Sequence, residues 1–330
     1  MINEILDLAL IESGKLSLSM EPISILDVLH DCQAMIEPLA QKSDIRMNFR
    51  SSEDHYFVHA DRTRIKQVLI NLLSNAIKYN RMGGSVDVSY SAISGERMHI
   101  SVRDTGEGLS PEKLEQLFQP FNRLGQEAGA EEGTGIGLVV SKRLVELMGG
   151  GIGAESSAGV GSVFWIELNL VLEPQFAADE IKQLPAAQTL RGSALRTLLY
   201  VEDNRANMQL VEQLIERRPD MRLLSADDGI RGITLARIHQ PDVILMDINL
   251  PGISGIQALK LLREDPVTAH IPVLALSANA MPRDIEKGLA AGFFRYLTKP
   301  IKVTEFMEAL DLGLILAAAA RDTANKEINT

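Results

Sequence analysis

From Leu195 to about Leu316, short apolar segments alternate one for one with amphipathic helical segments, and that rhythm leaves few architectures open. Thr197–Val201, Val243–Met246, Val273–Leu276 and Phe294–Leu297 read as strands with helical stretches between them. Apolar strands that need cover on both faces, joined by helices, predict a doubly wound parallel sheet. A chemically distinctive residue follows each strand. Glu202 and Asp203 come after the first, Asp247 after the second, Ser277 after the third, and Lys299, just before Pro300, after the fourth. In a parallel sheet those ends share one edge, where open α/β sheets place ligands. Asp203 alone could cap a helix, but four sites converging on one edge are not explained by capping. Three carboxylates there repel one another unless a cation joins them, and a hard oxygen set suits Mg²⁺. The chemistry this predicts is phosphoryl acceptance. Asp247 is the carboxylate nucleophile, and Glu202, Asp203, Asp247 and the Asn249 backbone carbonyl hold Mg²⁺. Lys299 pairs with the phosphoryl oxygens, and Ser277 donates a hydrogen bond to them.

Val201-Glu202-Asp203-Asn204, Asp247-Ile-Asn249-Leu-Pro251-Gly252, Ser277-Ala278 and Lys299-Pro300 resemble the response-regulator receiver domains, over residues 195–316. The resemblance implies a flavodoxin-like (βα)5 fold with strand order 2-1-3-4-5. It implies that Asp247 is the phosphoacceptor, and that Tyr296 is the aromatic that swings inward when Ser277 engages the phosphoryl group. It also implies a phosphorylation-dependent face around the fourth helix, the fourth strand, and the fifth strand and helix.

Residues 21 to about 170 have a different rhythm, long amphipathic helices interspersed with strands expected at Ser85–Ser91, Met98–Asp104 and Ser162–Leu170. A helix is expected from Arg62 to Tyr79 after an Asp61 cap. Ile65, Val68, Leu69, Leu72, Leu73, Ala76 and Ile77 form its buried stripe, and Gln67, Asn71, Asn75 and Lys78 a polar ridge. A solvated face would explain Gln67 and Lys78. Two carboxamides one turn apart, followed by Lys78 and Tyr79, fit oxygen ligands for Mg²⁺ and a cation for phosphates better. Asp104-Thr-Gly106-Glu-Gly108 closes a strand. A carboxylate there can accept from the exocyclic amine of adenine, and the glycines let a flat ring approach the backbone, although the string alone is a turn signal. Gly133-Thr-Gly135-Ile-Gly137 opens a helix whose backbone amides can bind phosphate oxygens, and Gly159-Val-Gly161-Ser162 leads into the last strand.

In their order, Asn71-Leu-Leu-Ser-Asn75-Ala-Ile-Lys78-Tyr79, Asp104-Thr-Gly-Glu-Gly108, Leu117-Phe118-Gln-Pro-Phe121, Gly133-Thr-Gly-Ile-Gly137 and Gly159-Val-Gly-Ser162 resemble the signature boxes of sensor histidine kinases. The resemblance covers residues 1–170. It implies a GHKL-type α/β sandwich binding ATP, with Asn75 and Asn71 on Mg²⁺ and Lys78 on phosphate. Tyr79 would flank the adenine, Asp104 would read its amine, and residues 122–134 would form a lid. Related ATPases of the gyrase and mismatch-repair type carry a glutamate where this chain has Asn71. A neutral amide is a poor general base, so transfer to another nucleophile is favoured over hydrolysis.

Six histidines are present, and none has the family's phosphoacceptor context. His30 precedes Asp31, but no Arg-Thr-Pro-like run follows. Residues 1–20 resemble the end of the second helix of the dimerisation element. The chain therefore reads as the catalytic and receiver portion of a hybrid histidine kinase, truncated at its N-terminus. The histidine would be supplied by a dimerisation domain upstream or in trans, and a histidine-phosphotransfer protein or response regulator is a further expected partner. Two other readings are a non-catalytic phosphate sink labelled in trans and a hydrolase, the latter disfavoured by Asn71. The expected domains are a helix remnant at 1–20, an ATP-binding domain at 21–172, a linker at 173–195, a receiver at 196–316 and a frayed tail at 317–330. The formal charge of −11 speaks against a non-specific nucleic-acid surface. A single cysteine, Cys32, excludes an internal disulfide and fits a half-buried apolar residue. The longest apolar run, Leu312–Ala320, falls short of a membrane span, so no membrane contact and a cytoplasmic location are expected.

Overall fold

The computed structural model describes residues 2–50, 56–93, 96–120, 122, 135–172, 195–278 and 282–328. The chain divides into two compact units, Met1–Glu173 and Pro174–Thr330. The stretches 123–134, with Gly133 and the acidic Glu127, Glu131 and Glu132, and 173–194, most of the expected linker, lie outside the described residues, as do His55 and Phe121.

The first unit runs α1 (Ile2–Glu12), β1 (Glu21–Ser24), α2 (Ile25–Lys42), β2 (Arg46–Phe49), β3 (Phe57–Ala60), α3 (Arg62–Lys78), β4 (Ser85–Ile93), β5 (Arg97–Asp104), α4 (Pro111–Leu114), α5 (Gly137–Leu147), β6 (Gly151–Ser157) and β7 (Gly161–Val171). Its seven strands form one mixed sheet in the order β1-β3-β7-β5-β4-β2, with β6 also paired to β7. Only β2 and β4 among these pairs run parallel. Alternation in β4, β5 and β7 sends Val86, Val88, Tyr90, Met98, Ile100, Val102, Phe164, Ile166 and Leu168 into one core with the apolar stripes of α2, α3 and α5. The alternate positions carry polar pairs such as Ser89–Ser101, 2.9 Å apart, and the stack of His99 on Trp165.

Helix α3 starts where its cap dictates. The Asp61 carboxylate accepts from the Arg64 amide at 3.0 Å and from the Ser19 amide at 2.8 Å. Tyr79, expected as the helix's last residue, is its C-cap. Five strands were not located in the sequence, namely β1, β2, β3, β6 and, in the second unit, β9. Four of them are four to six residues long, too short for a clear period. The fifth, β6, opens Gly151-Ile-Gly153, and the Trp165 ring fills the space a side chain at Gly153 would need. The first thirty residues are not one continuous helix. Pro22 and the Ser24 cap divide that region into α1, β1 and α2.

Helix α1 is tied to the rest of its unit. Leu8 and Ile11 pack on the core, and the Asp7 carboxylate accepts from Arg64 at 3.0 Å and from Gln67 at 2.8 Å. Ile5 and Leu6 remain exposed.

The second unit runs β8 (Arg196–Val201), α6 (Arg205–Glu216), β9 (Met221–Ala226), α7 (Gly229–His239), β10 (Val243–Asp247), α8 (Gly255–Glu264), β11 (Val273–Ser277), α9 (Pro282–Ala291), β12 (Arg295–Thr298) and α10 (Val303–Ile328). Its parallel sheet has the order β9-β8-β10-β11-β12, which is the expected 2-1-3-4-5. Successive strand residues enter opposite cores. Leu198, Tyr200, Leu245 and Leu276 join α6 and α10 on one face, and Leu199, Val201, Met246 and Ala275 join α7 and α8 on the other. The backbone of α10 stays helical to Ile328, past the Leu316 where a frayed tail was expected. The run Ala317–Ala320 and the Asn-Lys-Glu that follows are compatible with continued helix, alanine most of all.

Candidate functional sites

In the first unit, α3, the end of β5, the start of α5 and the turn into β7 converge. Asp104, the last residue of β5, is buried. Its Oδ1 accepts from the Gly106 amide at 2.8 Å and from the Ser162 amide at 3.2 Å. Burial pushes its carboxyl pKa up, and the two amides pull it back only in part. Gly106 cannot be another residue without movement, because a Cβ there would run into the Tyr79 carbonyl. Gly161 has φ +129° and would strike the Asp104 carbonyl in the same way. These glycines let the β5 turn, the end of α3 and the start of β7 close around the Asp104 carboxylate. Gly108 meets the Ser157 carbonyl, and the Ser162 hydroxyl lies 2.9 Å from that of Ser156.

On α3, the Asn71 amide donates to the Ser141 hydroxyl of α5 at 2.9 Å, and its Oδ1 lies beneath Gly137, the first residue of α5. Asn75 is half-buried one turn later. The Lys78 ammonium lies 5.0 Å from the centroid of the exposed Tyr79 ring. Gly135 holds φ +68° just ahead of α5. Direct contacts thus join Asp104 with Gly106 and Ser162, and Asn71 with Gly137, with Asn75, Lys78 and Tyr79 further along α3 and at its end.

Three further residues escaped the sequence reading. Ser141 is buried and anchors Asn71. Thr105 donates to Asn80 at 3.0 Å and accepts from the Ser85 amide at 2.9 Å, while Asn80 donates to the Ala76 carbonyl at 3.1 Å. These contacts fix the end of α3 against the β5 turn. The only available signal was the threonine between Asp104 and Gly106, since hydroxyls in turns commonly bond nearby backbone.

In the second unit, the strand ends meet as the alternation required. Carboxylate oxygens of Glu202, Asp203 and Asp247 lie within 4.8 Å of one another. The Lys299 ammonium donates to Asp247 Oδ2 at 2.6 Å and to Glu202 Oε1 at 3.1 Å. Glu202, Asp247 and the Lys299 side chain are buried, so these charges interact with little screening by water, and Ser277 beside them is buried too. The Asn249 amide donates to Asp247 Oδ1 at 2.9 Å, and the Lys299 amide donates to the Ser277 carbonyl at 2.8 Å, binding the last two strands together at the site. Tyr296 lies with its ring over Gly288 of α9, where a Cβ would press within 2.7 Å of it. Three clustered carboxylates are a hard oxygen donor set of the kind Mg²⁺ takes.

The two folds and their edge sites define a protein that joins an ATPase-type sandwich to a receiver. Residues 60–172 match the family described as histidine kinase-, DNA gyrase B- and HSP90-like ATPase, and residues 198–311 match the response regulator receiver domain. The chain is 33% identical to the sensor histidine kinase AruS of Pseudomonas aeruginosa, over 98% of this chain and 32% of that protein. It is 32% identical to the virulence sensor protein BvgS of Bordetella bronchiseptica, over 96% of this chain and 26% of that protein. Full-length ShkA in complex with AMPPNP, a solved structure, is 24% identical with a TM-score of 0.49, covering 94% of this chain and 88% of that one. The chain belongs to the hybrid sensor histidine kinases of two-component signalling, with an ATP-binding domain followed by a receiver domain. It spans a third or less of the length of these two curated relatives. Among the described residues, no helix is long and apolar enough to cross a membrane.

Proposed function

We propose that this chain moves the γ-phosphoryl group of ATP to a histidine on a dimerisation domain, upstream or in trans, and from there to Asp247. The observation that carries this reading is the edge cluster of Asp247, Glu202, Asp203, Ser277 and Lys299 following, in one chain, a helix that bears Asn71 and Asn75 and a strand that ends on a buried Asp104. In the cradle, Asp104 accepts from the adenine amine, and Tyr79 flanks the ring. Lys78 and the amides near Gly133, Gly135 and Gly137 would bind phosphate oxygens, and Asn75 and Asn71 would hold the nucleotide's Mg²⁺, which supplies charge compensation when bound. Asn71 donates its amide to Ser141, so it acts as a strut at least as much as a ligand. It offers no carboxylate to draw a proton from water, which favours transfer over hydrolysis.

At the receiver, an Asp247 carboxylate oxygen attacks phosphorus as the bond to the histidine nitrogen breaks, and the imidazole leaves with the electron pair. Lys299 and Ser277 bind the phosphoryl oxygens, and Tyr296 follows Ser277 inward. Glu202, Asp203, Asp247 and the Asn249 carbonyl would hold Mg²⁺, which supplies charge compensation when bound. A histidine-phosphotransfer protein or another response regulator is the proposed onward partner.

The test is incorporation from γ-labelled ATP with Mg²⁺, run on the chain alone and with a separately supplied histidine-bearing dimerisation domain. Label that needs the added domain and reaches Asp247, disappearing from this chain in Asp247→Ala, is the expected result. Bound ATP without label on either component, while the added domain is labelled by another catalytic domain, would replace this reading with a phosphate sink labelled in trans. Steady phosphate release that persists in Asp247→Ala would point to a hydrolase.

A further inference from the structure

The floor of the acidic edge holds the hydroxyl of Tyr200. Residues of β8 alternate between two cores, and Leu198, Leu199 and Val201 fill them with aliphatic side chains alone. Tyr200 breaks that pattern. Its side chain is fully buried, in the same core as Leu245, Leu276 and Phe306. Two residues on, Glu202 projects to the same side of the chain, as the two-residue strand period requires. The Tyr200 hydroxyl donates to Glu202 Oε2 at 2.9 Å.

Among the described residues, Lys299 and the Asn204 amide hold Glu202 together with Tyr200. Lys299 reaches Oε2 at 3.0 Å and Oε1 at 3.1 Å, and the Asn204 amide reaches Oε1 at 3.1 Å. These donors differ in freedom. The Asn204 amide is backbone, and the Tyr200 hydroxyl sits at the end of a rigid ring in a packed core. Lys299 ends a flexible four-carbon chain and also donates to Asp247. If Lys299 turns to phosphoryl oxygens, Tyr200 and Asn204 still donate to Glu202. Glutamate has one more rotatable bond than aspartate, so its carboxylate needs such anchoring to remain a defined ligand.

We propose that Tyr200 is a positioning residue of the receiver site. Its hydroxyl fixes the orientation of the Glu202 carboxylate, so that the divalent-cation affinity of the Glu202–Asp203–Asp247 cluster depends on it. Tyr200 touches neither the acceptor oxygen nor the phosphoryl group; it acts through Glu202. The inference rests on reading the edge cluster as a cation site.

The experiment is a titration of the full chain with Mn²⁺ in the absence of nucleotide, following free Mn²⁺ by its paramagnetic resonance. Wild type, Tyr200→Phe, Glu202→Gln and the double variant are compared, with the thermal unfolding of each recorded. Phenylalanine keeps the ring and removes only the hydroxyl. Loss of one hydrogen bond to a charged group corresponds to a weakening of about 10-fold in Tyr200→Phe. In the Glu202→Gln background the same change should have little effect, because the carboxylate it positions is gone. Wild-type affinity in Tyr200→Phe overturns the proposal. So does an equal loss in both backgrounds, which would mean that the ring acts through the fold and not through Glu202. Labelling with acetyl phosphate separates this from the acceptor reading. A chain that binds Mn²⁺ but takes no label at Asp247 refutes phosphoryl acceptance and leaves the Tyr200 comparison readable. A wild-type chain that binds no Mn²⁺ overturns both.

Discussion

The Asn71 side-chain amide donates to the Ser141 hydroxyl at 2.9 Å, and through that bond the middle of α3 holds the first turns of α5. Gly137 lies directly over the Asn71 oxygen, so the helix start that would receive phosphate oxygens is seated on Asn71. Ser141→Ala removes one buried hydrogen bond and leaves the Asn71 amide without that acceptor, a loss of about 1 kcal/mol. Nucleotide affinity should fall roughly 3- to 10-fold. Titration with a fluorescent ATP analogue measures this. Unchanged affinity would mean that α5 is seated without the strut.

Asp104 offers a test in which stability and binding move in opposite directions. Burial raises its carboxyl pKa in the folded chain above the unfolded value of about 3.9. The protonated form is therefore the one that folding favours. This contribution to stability is complete below the unfolded pKa and is lost as pH rises through the folded one. At neutral pH the ionised group opposes folding, so Asp104→Asn should raise the melting temperature of the first unit, by roughly 2 °C. The asparagine oxygen can still accept from the Gly106 and Ser162 amides. Its neutral amide is a weaker acceptor for the adenine amine, and ATP affinity should fall by about 10-fold or more. Calorimetric melting at pH 4 and pH 7, paired with nucleotide titration, checks both halves. A variant less stable than the parent at pH 7 contradicts the first half.

These two residues also show where the sequence was legible. Asp104, the glycines and Asn71 stand at strand ends and helix faces whose periods are readable in one dimension. The receiver edge was more legible still, because a parallel sheet forces Glu202, Asp203, Asp247, Ser277 and Lys299 onto one side once its strands are found. Ser141, Asn80 and Tyr200 were not legible. Each sits among residues that fit an ordinary helix, cap or strand, and its importance comes from a partner on a neighbouring element or two residues along the chain. The attachment of α1 through Asp7 to Arg64 and Gln67 was hidden for the same reason, since the residues are about sixty positions apart. The short strands β1, β2 and β3 are defined by pairing, and pairing leaves little local pattern in four residues.

Cys32 gives a chemical report on the first unit. It is fully buried on the core face of α2, deeper than its half-buried expectation. Burial is the main cause that pushes its thiol pKa up to about 12. The thiolate is the reactive form, so the folded chain should resist alkylation by iodoacetamide at pH 8 and react promptly in denaturant. Following the rate at intermediate denaturant concentrations should give an opening free energy for the ATP-binding unit. Rapid labelling of the native chain would show that α2 opens without global unfolding.

The contact of Lys299 with Asp247 at 2.6 Å and Glu202 at 3.0 Å supports stability as well as chemistry. All three side chains are almost entirely excluded from solvent. Replacing the lysine leaves two buried carboxylates facing one another without their shared cation, a change that typically costs about 3–5 kcal/mol. Lys299→Met should therefore lower the melting temperature of the receiver unit markedly. Asp247→Asn in the same chain should recover much of the loss, because it removes one of the two stranded charges. Millimolar Mg²⁺ should also raise the melting temperature of Lys299→Met, since a cation bound by the acidic cluster offsets the same repulsion. Phosphoryl acceptance should not return in the double variant, which lacks the nucleophile. Calorimetry of the four chains, with and without Mg²⁺, measures the coupling. Additive losses in Lys299→Met and Asp247→Asn would show that the lysine serves the phosphoryl group alone and contributes no charge balance to the fold.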